Sequence, residues 1–176
     1  MLLTKYFALM AAAFAAQATA LAAFSTVSDA LDDFKPISTS IEDLSQRIDR
    51  SPGGVTELMS ITNDVYDTCD KVKRGRAKID GMAPFTEQDE IEGRPLIRRM
   101  FAGLAFGMDA TSRKVPYIKA VPGGTLVARR AANRIMKEKT RIQDTLQKKS
   151  SAAGFAEFKP DIDNFDKKFE ALMAKL

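Results

Sequence analysis

Nine consecutive residues, from Met100 to Met108, carry no polar side chain, and this stretch decides most of what the chain can fold into. A membrane span needs about 20 apolar residues, so nine are too few to cross a bilayer. A helix that is apolar all round belongs inside a fold, with other helices laid against it. The stretch also mixes sizes. Gly103, Ala105 and Gly107 are small, whereas Met100, Phe101, Phe106 and Met108 are large and adaptable. Natural interiors seldom keep voids without a use for them, so this mixture predicts a central gap lined by Phe and Met side chains.

The remaining segments supply helices to surround it. From Ser25 to Arg50, apolar residues recur every three or four positions (Val27, Leu31, Phe34, Ile41, Leu44, Ile48), which places them on one helical face. Pro36 lies inside this pattern and is expected to kink or split the helix. Ser51-Pro-Gly-Gly54 reads as a breaker loop. A second helix is expected over Val55–Ile79, with Val65, Cys69 and Val72 on its stripe. Thr86 and Asp89 form a capping pair for a third helix over Thr86–Ser112, bent near Gly93 and Pro95. Arg113–Tyr117 and Val121–Gly124 are expected to form the following turn and loop. A fourth helix spans Thr125–Ser150, with Leu126, Val127, Ala131, Ile135, Ile142 and Leu146 as its stripe. Phe155–Leu176 forms the last, its regular part beginning just before Pro160. Strand-like alternation is nearly absent. The expected fold is therefore all-α, an antiparallel bundle of about five amphipathic helices.

Residues 1–20 have the plan of a secretory signal: Lys5, an apolar run from Tyr6 to Ala16, and the small-x-small site Ala18-Thr-Ala20. Residues 21–176 are then expected to form a single exported helical domain. Its charge is weakly basic, +4 falling to +3 without Lys5, and acidic residues are mixed among the Lys and Arg. The densest basic group, Lys71 to Lys78, falls at a helix end, where cations favour the macrodipole. A nucleic-acid partner is not expected.

The composition also removes most chemistry. There is no histidine, so the commonest general base and the usual Ser–His and Cys–His arrangements are absent. Cys69 is the only cysteine and can form neither an internal disulfide nor a zinc cluster. It reads as a small hydrophobe on its helix stripe. There is no Gly-x-Ser-x-Gly elbow and no phosphate-binding glycine loop. The sequence points to no enzyme, cofactor or metal. It carries 11 Phe, 8 Met and no Trp, an inventory suited to apolar ligands.

One turn carries a resemblance. Lys114-Val-Pro-Tyr117, then Val121-Pro-Gly-Gly124 and Leu126-Val127, follow the third helix of a roughly 150-residue helical region behind a signal peptide. This pattern resembles the fungal hydrophobic surface-binding protein A family, which includes cell-wall galactomannoprotein antigens, over about residues 27–174. The resemblance implies a secreted or wall-associated helical domain. Some members adsorb to hydrophobic surfaces and help recruit polyester-degrading hydrolases; others enclose fatty acids between helices. This chain lacks the long Ser/Thr-rich tail of wall-anchored members, which favours a freely secreted form.

The expected function is thus the binding of fatty acid-like lipids in a cavity between helices. Met59, Phe101, Leu104, Phe106, Met108, Ile135, Phe165 and Phe169 are the expected lining, with Thr62 or Arg99 meeting the carboxylate. The alternative is a surface-active protein that coats hydrophobic surfaces and recruits a secreted hydrolase.

Overall fold

The computed structural model describes residues 27–176, which form five long helices and one short one. These are α1 (Val27–Arg50), α2 (Val55–Asp80), α3 (Glu87–Ala120), α4 (Gly124–Lys149), α5 (Ala152–Ala156) and α6 (Lys159–Lys175). No strand occurs among the described residues. The expected signal and its Ala18-Thr-Ala20 site lie outside them.

Packing follows a ring. α1 packs on α2 and α3, α4 packs on α2 and α3, and α6 packs on the outer side of α3. α2 and α3 therefore face each other diagonally across the interior. One apolar cluster, with Phe34, Ile97, Phe101, Ile142, Phe158 and Ile162, fills one end. A second, with Met108, Ile118, Ala128, Phe165 and Leu172, joins α3, α4 and α6.

The helix starts obey local chemistry. Thr86 accepts a hydrogen bond from the Asp89 backbone N–H, and the Asp89 carboxylate accepts one from the Thr86 N–H at 2.8 Å, a reciprocal capping box. Pro160 falls in the first turn of α6, where its missing N–H costs nothing.

Exposure accounts for how the prolines sit inside helices, and Pro36 does not split its helix. α1 runs unbroken through Pro36, and α3 runs unbroken through Gly93, Pro95 and Pro116. All three prolines are exposed, so solvent can satisfy the carbonyls they orphan. The expected turn at Arg113–Tyr117 is consequently helix. Val115 and Ile118 are buried and extend the apolar stripe beyond Ser112.

The glycines of the central stretch also behave differently from expectation. A Cβ at Gly103 would lie 3.0 Å from Ile41 Cγ2, and one at Gly107 would lie 2.7 Å from Ser45 Oγ. The volume given up at Gly103 is taken by α1, and Ser45 stands against Gly107, which also lines the interior cavity. The Ser45 hydroxyl reaches the Gly103 carbonyl at 2.9 Å and the Ile41 carbonyl at 2.7 Å, so the two helices meet almost backbone to backbone.

The α3–α4 corner is equally tight. Gly123 takes a left-handed φ of 74°, and a Cβ on Gly124 would collide with the Ile118 carbonyl oxygen and lie 3.1 Å from Val121 Cβ. Gly124→Ala should therefore lower the unfolding free energy by about 1–3 kcal/mol, as overpacking does. Urea denaturation would measure it, and an unchanged midpoint would show that the corner relaxes freely.

Candidate functional site: an elongated apolar cavity

The interior of the α1–α2–α4–α3 ring holds a cavity of about 120 Å³. Each helix contributes a stripe at three- and four-residue spacing. α1 gives Ile41, Leu44 and Ile48; α2 gives Leu58, Ile61, Val65, Cys69 and Val72. α3 gives Met100, Leu104, Met108 and Ile118, and α4 gives Ala128, Ala131, Ala132, Ile135 and Ile142. The space arises where α4 carries alanines opposite the diagonal pair α2 and α3. The lining of α2, from Gly54 to Val72, follows about 27 Å of helix axis at roughly 1.5 Å per residue. The cavity is long and narrow.

Its two ends differ. One is walled by Ser51, Gly53, Gly54, Lys114 and Tyr117; Gly54 and Tyr117 are exposed, so this end meets solvent. The half-buried Lys114 ammonium donates to the Ser51 carbonyl at 2.8 Å and lies 5.7 Å from the centre of the Tyr117 ring. No carboxylate among the described residues pairs with it within 4.0 Å. The other end is closed by Met100, Val72, Ile142 and Glu138, all buried.

Cys69 lies on the wall between these ends. Burial pushes its thiol up to about 11, opposed by the Arg134 charge and reinforced by Glu138 and Asp70. It is therefore a protonated thiol at neutral pH and behaves as apolar wall. Among the described residues no group of three or more His, Cys, Asp or Glu side chains could hold a metal.

Of the residues singled out from sequence, the structure brings Thr62, Leu104, Met108 and Ile135 to the cavity wall. The other six lie elsewhere. Phe101 and Phe165 are 0% exposed, but each is enclosed in a packed cluster and neither reaches the cavity wall. Phe169 stacks on Phe165 with ring centroids 6.3 Å apart. Met59 and Phe106 are 47% and 42% exposed, so they face out rather than in. Arg99 is exposed and paired with Glu42, which leaves it neither near the cavity nor free to meet a ligand. Thr62 gives its hydroxyl proton to the Leu58 carbonyl at 2.7 Å, one turn back.

Three charged residues line the cavity, Lys114, Glu138 and Lys139, and the first two fall on stripes whose spacing the sequence contains. Lys114 follows Gly107 and Thr111 on the α3 stripe, and Glu138 falls between Ile135 and Ile142 on the α4 stripe. A charge occupying an apolar position of a 3-4 repeat is the signal.

These features define an all-helical protein built around an elongated apolar cavity, open at one end beside a lysine. The chain belongs to the hydrophobic surface binding protein A (HsbA) family, whose model matches residues 27–148. The fold is shared with solved structures of low identity. AFMP4P in complex with palmitic acid superposes with a TM-score of 0.78 at 15% identity, covering 85% of this chain and 99% of that one. Ligand binding domain 2 of Penicillium marneffei MP1, complexed with multiple arachidonic acids, gives 0.76 at 9% identity, covering 86% and 96%. Ligand binding domain 1 of the same protein, complexed with arachidonic acids, gives 0.73 at 9%, covering 82% and 93%. No curated protein sequence matches the chain. No helix among the described residues is long and apolar enough to cross a membrane.

Proposed function

We propose that the protein is an exported, non-enzymatic carrier of long-chain fatty acids, with residues 21–176 acting as one helical domain once a leader over residues 1–20 is removed. The acyl chain lies in the cavity between α1, α2, α3 and α4, and its carboxylate meets Lys114 at the open end. The observation that carries this reading is the pairing of an apolar channel with a lysine that has no carboxylate partner at its mouth. The solved structures with palmitic and arachidonic acids support it by shared fold.

The size of the cavity sets how the ligand enters. A void of about 150 Å³ lined by aliphatic and aromatic side chains stays dry and holds one benzene, and this one is about 120 Å³. A whole acyl chain therefore requires wall residues to move aside. Met100, Met108 and Leu104 are suited to that, because methionine fills irregular space in several rotamers. Each methylene buried gains roughly 0.8 kcal/mol, enough over a long chain to offset the rearrangement.

Lys114 supplies the test. A hydrogen bond to a charged group contributes about 1.5–3 kcal/mol net, and the mouth is partly wet. Lys114→Ala should weaken hexadecanoate about tenfold and leave hexadecanol unchanged, read by displacement of a fluorescent fatty acid from delipidated protein. Equal loss for both ligands, or for neither, would remove Lys114 from the head-group site. Absence of saturable uptake in the wild type would remove the carrier reading altogether.

A second reading has one observation behind it. Val55, Met59, Phe106, Tyr117 and Leu126 are large, apolar and 42–57% exposed, which suits adsorption to a hydrophobic surface from which hydrolases could work. Adsorption to polystyrene that survives blockage of the cavity would support it.

A further inference from the structure

The closed end of the cavity carries a feature that a plain hydrocarbon chain would leave unused. Glu138 occupies an inward position of the α4 stripe, four residues before Ile142, and is 7% exposed. Its Oε1 accepts a hydrogen bond from Arg141 at 2.8 Å. Its Oε2 is buried and has no hydrogen-bond partner. A buried carboxylate oxygen without a donor is costly, and an ion pair with Arg141 alone needs only a surface position. Glu138 lines the cavity, so a ligand that displaces the wall on entering is the donor available to this second oxygen.

The chemistry of that donor is constrained. A ligand carboxylate would face the Glu138 charge at this end, where the buried Lys139 ammonium is already held by Asp166 at 2.7 Å, which fixes the head group at Lys114 instead. A ligand ammonium would sit in a low-dielectric space beside the Arg141 guanidinium that already balances Glu138. A neutral hydroxyl meets neither obstacle. It gives one proton to Oε2 and adds no charge. Its place along the chain follows from helix register. Gly124 abuts Ile118, so in antiparallel α3 and α4 Lys114 lies level with about residue 128. Glu138 is then about 15 Å further along the axis at roughly 1.5 Å per residue. At roughly 1.2 Å per bond of an extended chain, this is about a dozen carbons.

We propose that Glu138 is a specificity-determining acceptor that selects long-chain fatty acids bearing a hydroxyl about a dozen carbons from the carboxylate. This rests on the carrier reading above and narrows it from fatty acids in general to hydroxylated ones. A site built to hydrogen-bond a ligand hydroxyl discriminates against analogues lacking it, because its polar atom is then left unpaired.

The test uses the delipidated exported protein and three competitors of a fluorescent fatty acid: octadecanoic, 2-hydroxyoctadecanoic and 12-hydroxyoctadecanoic acids. The 12-hydroxy acid should bind on the order of tenfold tighter than the other two, which should match each other. Glu138→Leu should abolish that ratio while octadecanoate still binds, and Glu138→Gln, which keeps a carbonyl acceptor, should restore part of it. Equal affinities for the three acids in the wild type, or a ratio that survives in Glu138→Leu, would overturn the assignment and leave the carrier reading standing. If none of the acids displaces the probe, the carrier reading falls and this assignment with it.

Discussion

Phe101→Ala should lower the unfolding free energy by about 3–5 kcal/mol, the range for deleting a fully buried phenylalanine ring. Phe106→Ala, five residues later in the same apolar stretch, should cost about 1 kcal/mol or less. Phe101 is 0% exposed within the cluster of Ile97, Ile142, Phe158 and Ile162. Phe106 is 42% exposed, with the Arg113 guanidinium 5.8 Å from its ring. Neither ring lines the cavity, so fatty-acid affinity measured on the folded fraction should stay within a factor of two or so for both. Chemical denaturation and probe displacement on the two variants would check this. A large, selective loss of affinity in Phe101→Ala with little loss of stability would mean that the cavity lies elsewhere than between α1, α2, α3 and α4.

The contrast between these two rings shows what the sequence could and could not convey. The helices were legible because each stripe repeats at three- and four-residue spacing, and the capping pair Thr86–Asp89 was legible because its chemistry is local. The stretch from Met100 to Met108 was rightly placed at the centre of the fold. Gly107 does line the cavity, but Gly103 was misread, because a missing side chain has the same spelling whether it leaves a gap or admits a neighbour. Here Gly103 admits α1, down to a hydrogen bond between Ser45 and the Gly103 carbonyl. The gap lies between that stretch and the modest alanines of α4, where Ala128, Ala131 and Ala132 face the interior between α2 and α3. No single-helix pattern reports that, since it depends on which helices stand diagonally. Thr62, Leu104, Met108 and Ile135 reach the cavity because they fall on inward stripes. Arg99 does not, because Glu42 on α1 takes its charge outside the bundle.

That geometry makes Ala131 the place where ligand uptake can be removed without removing the fold. Ala131 is 8% exposed and packs with Val65 and Cys69, near Leu44, Ile61 and Ile135, and all of these line the cavity. Ala131→Phe should project its ring into the empty space, where an acyl chain would otherwise lie. Void volume costs about 24 cal/mol per Å³, so a 120 Å³ cavity represents about 3 kcal/mol of stability left unrealised. Misfit of the inserted ring costs about 1–3 kcal/mol. The two are of one size and opposite sign, so the melting temperature should change little while fatty-acid uptake falls by at least about tenfold. Ala131→Leu, with a smaller side chain, should give an intermediate loss. Circular dichroism melts and displacement of a fluorescent fatty acid would read both quantities on the same samples. A folded Ala131→Phe protein that takes up fatty acid as the wild type does would place the lipid on the outer surface. Adsorption to polystyrene should then be tested on that same variant, because its persistence alongside lost uptake would show two separate activities, one in the cavity and one on the exposed apolar residues.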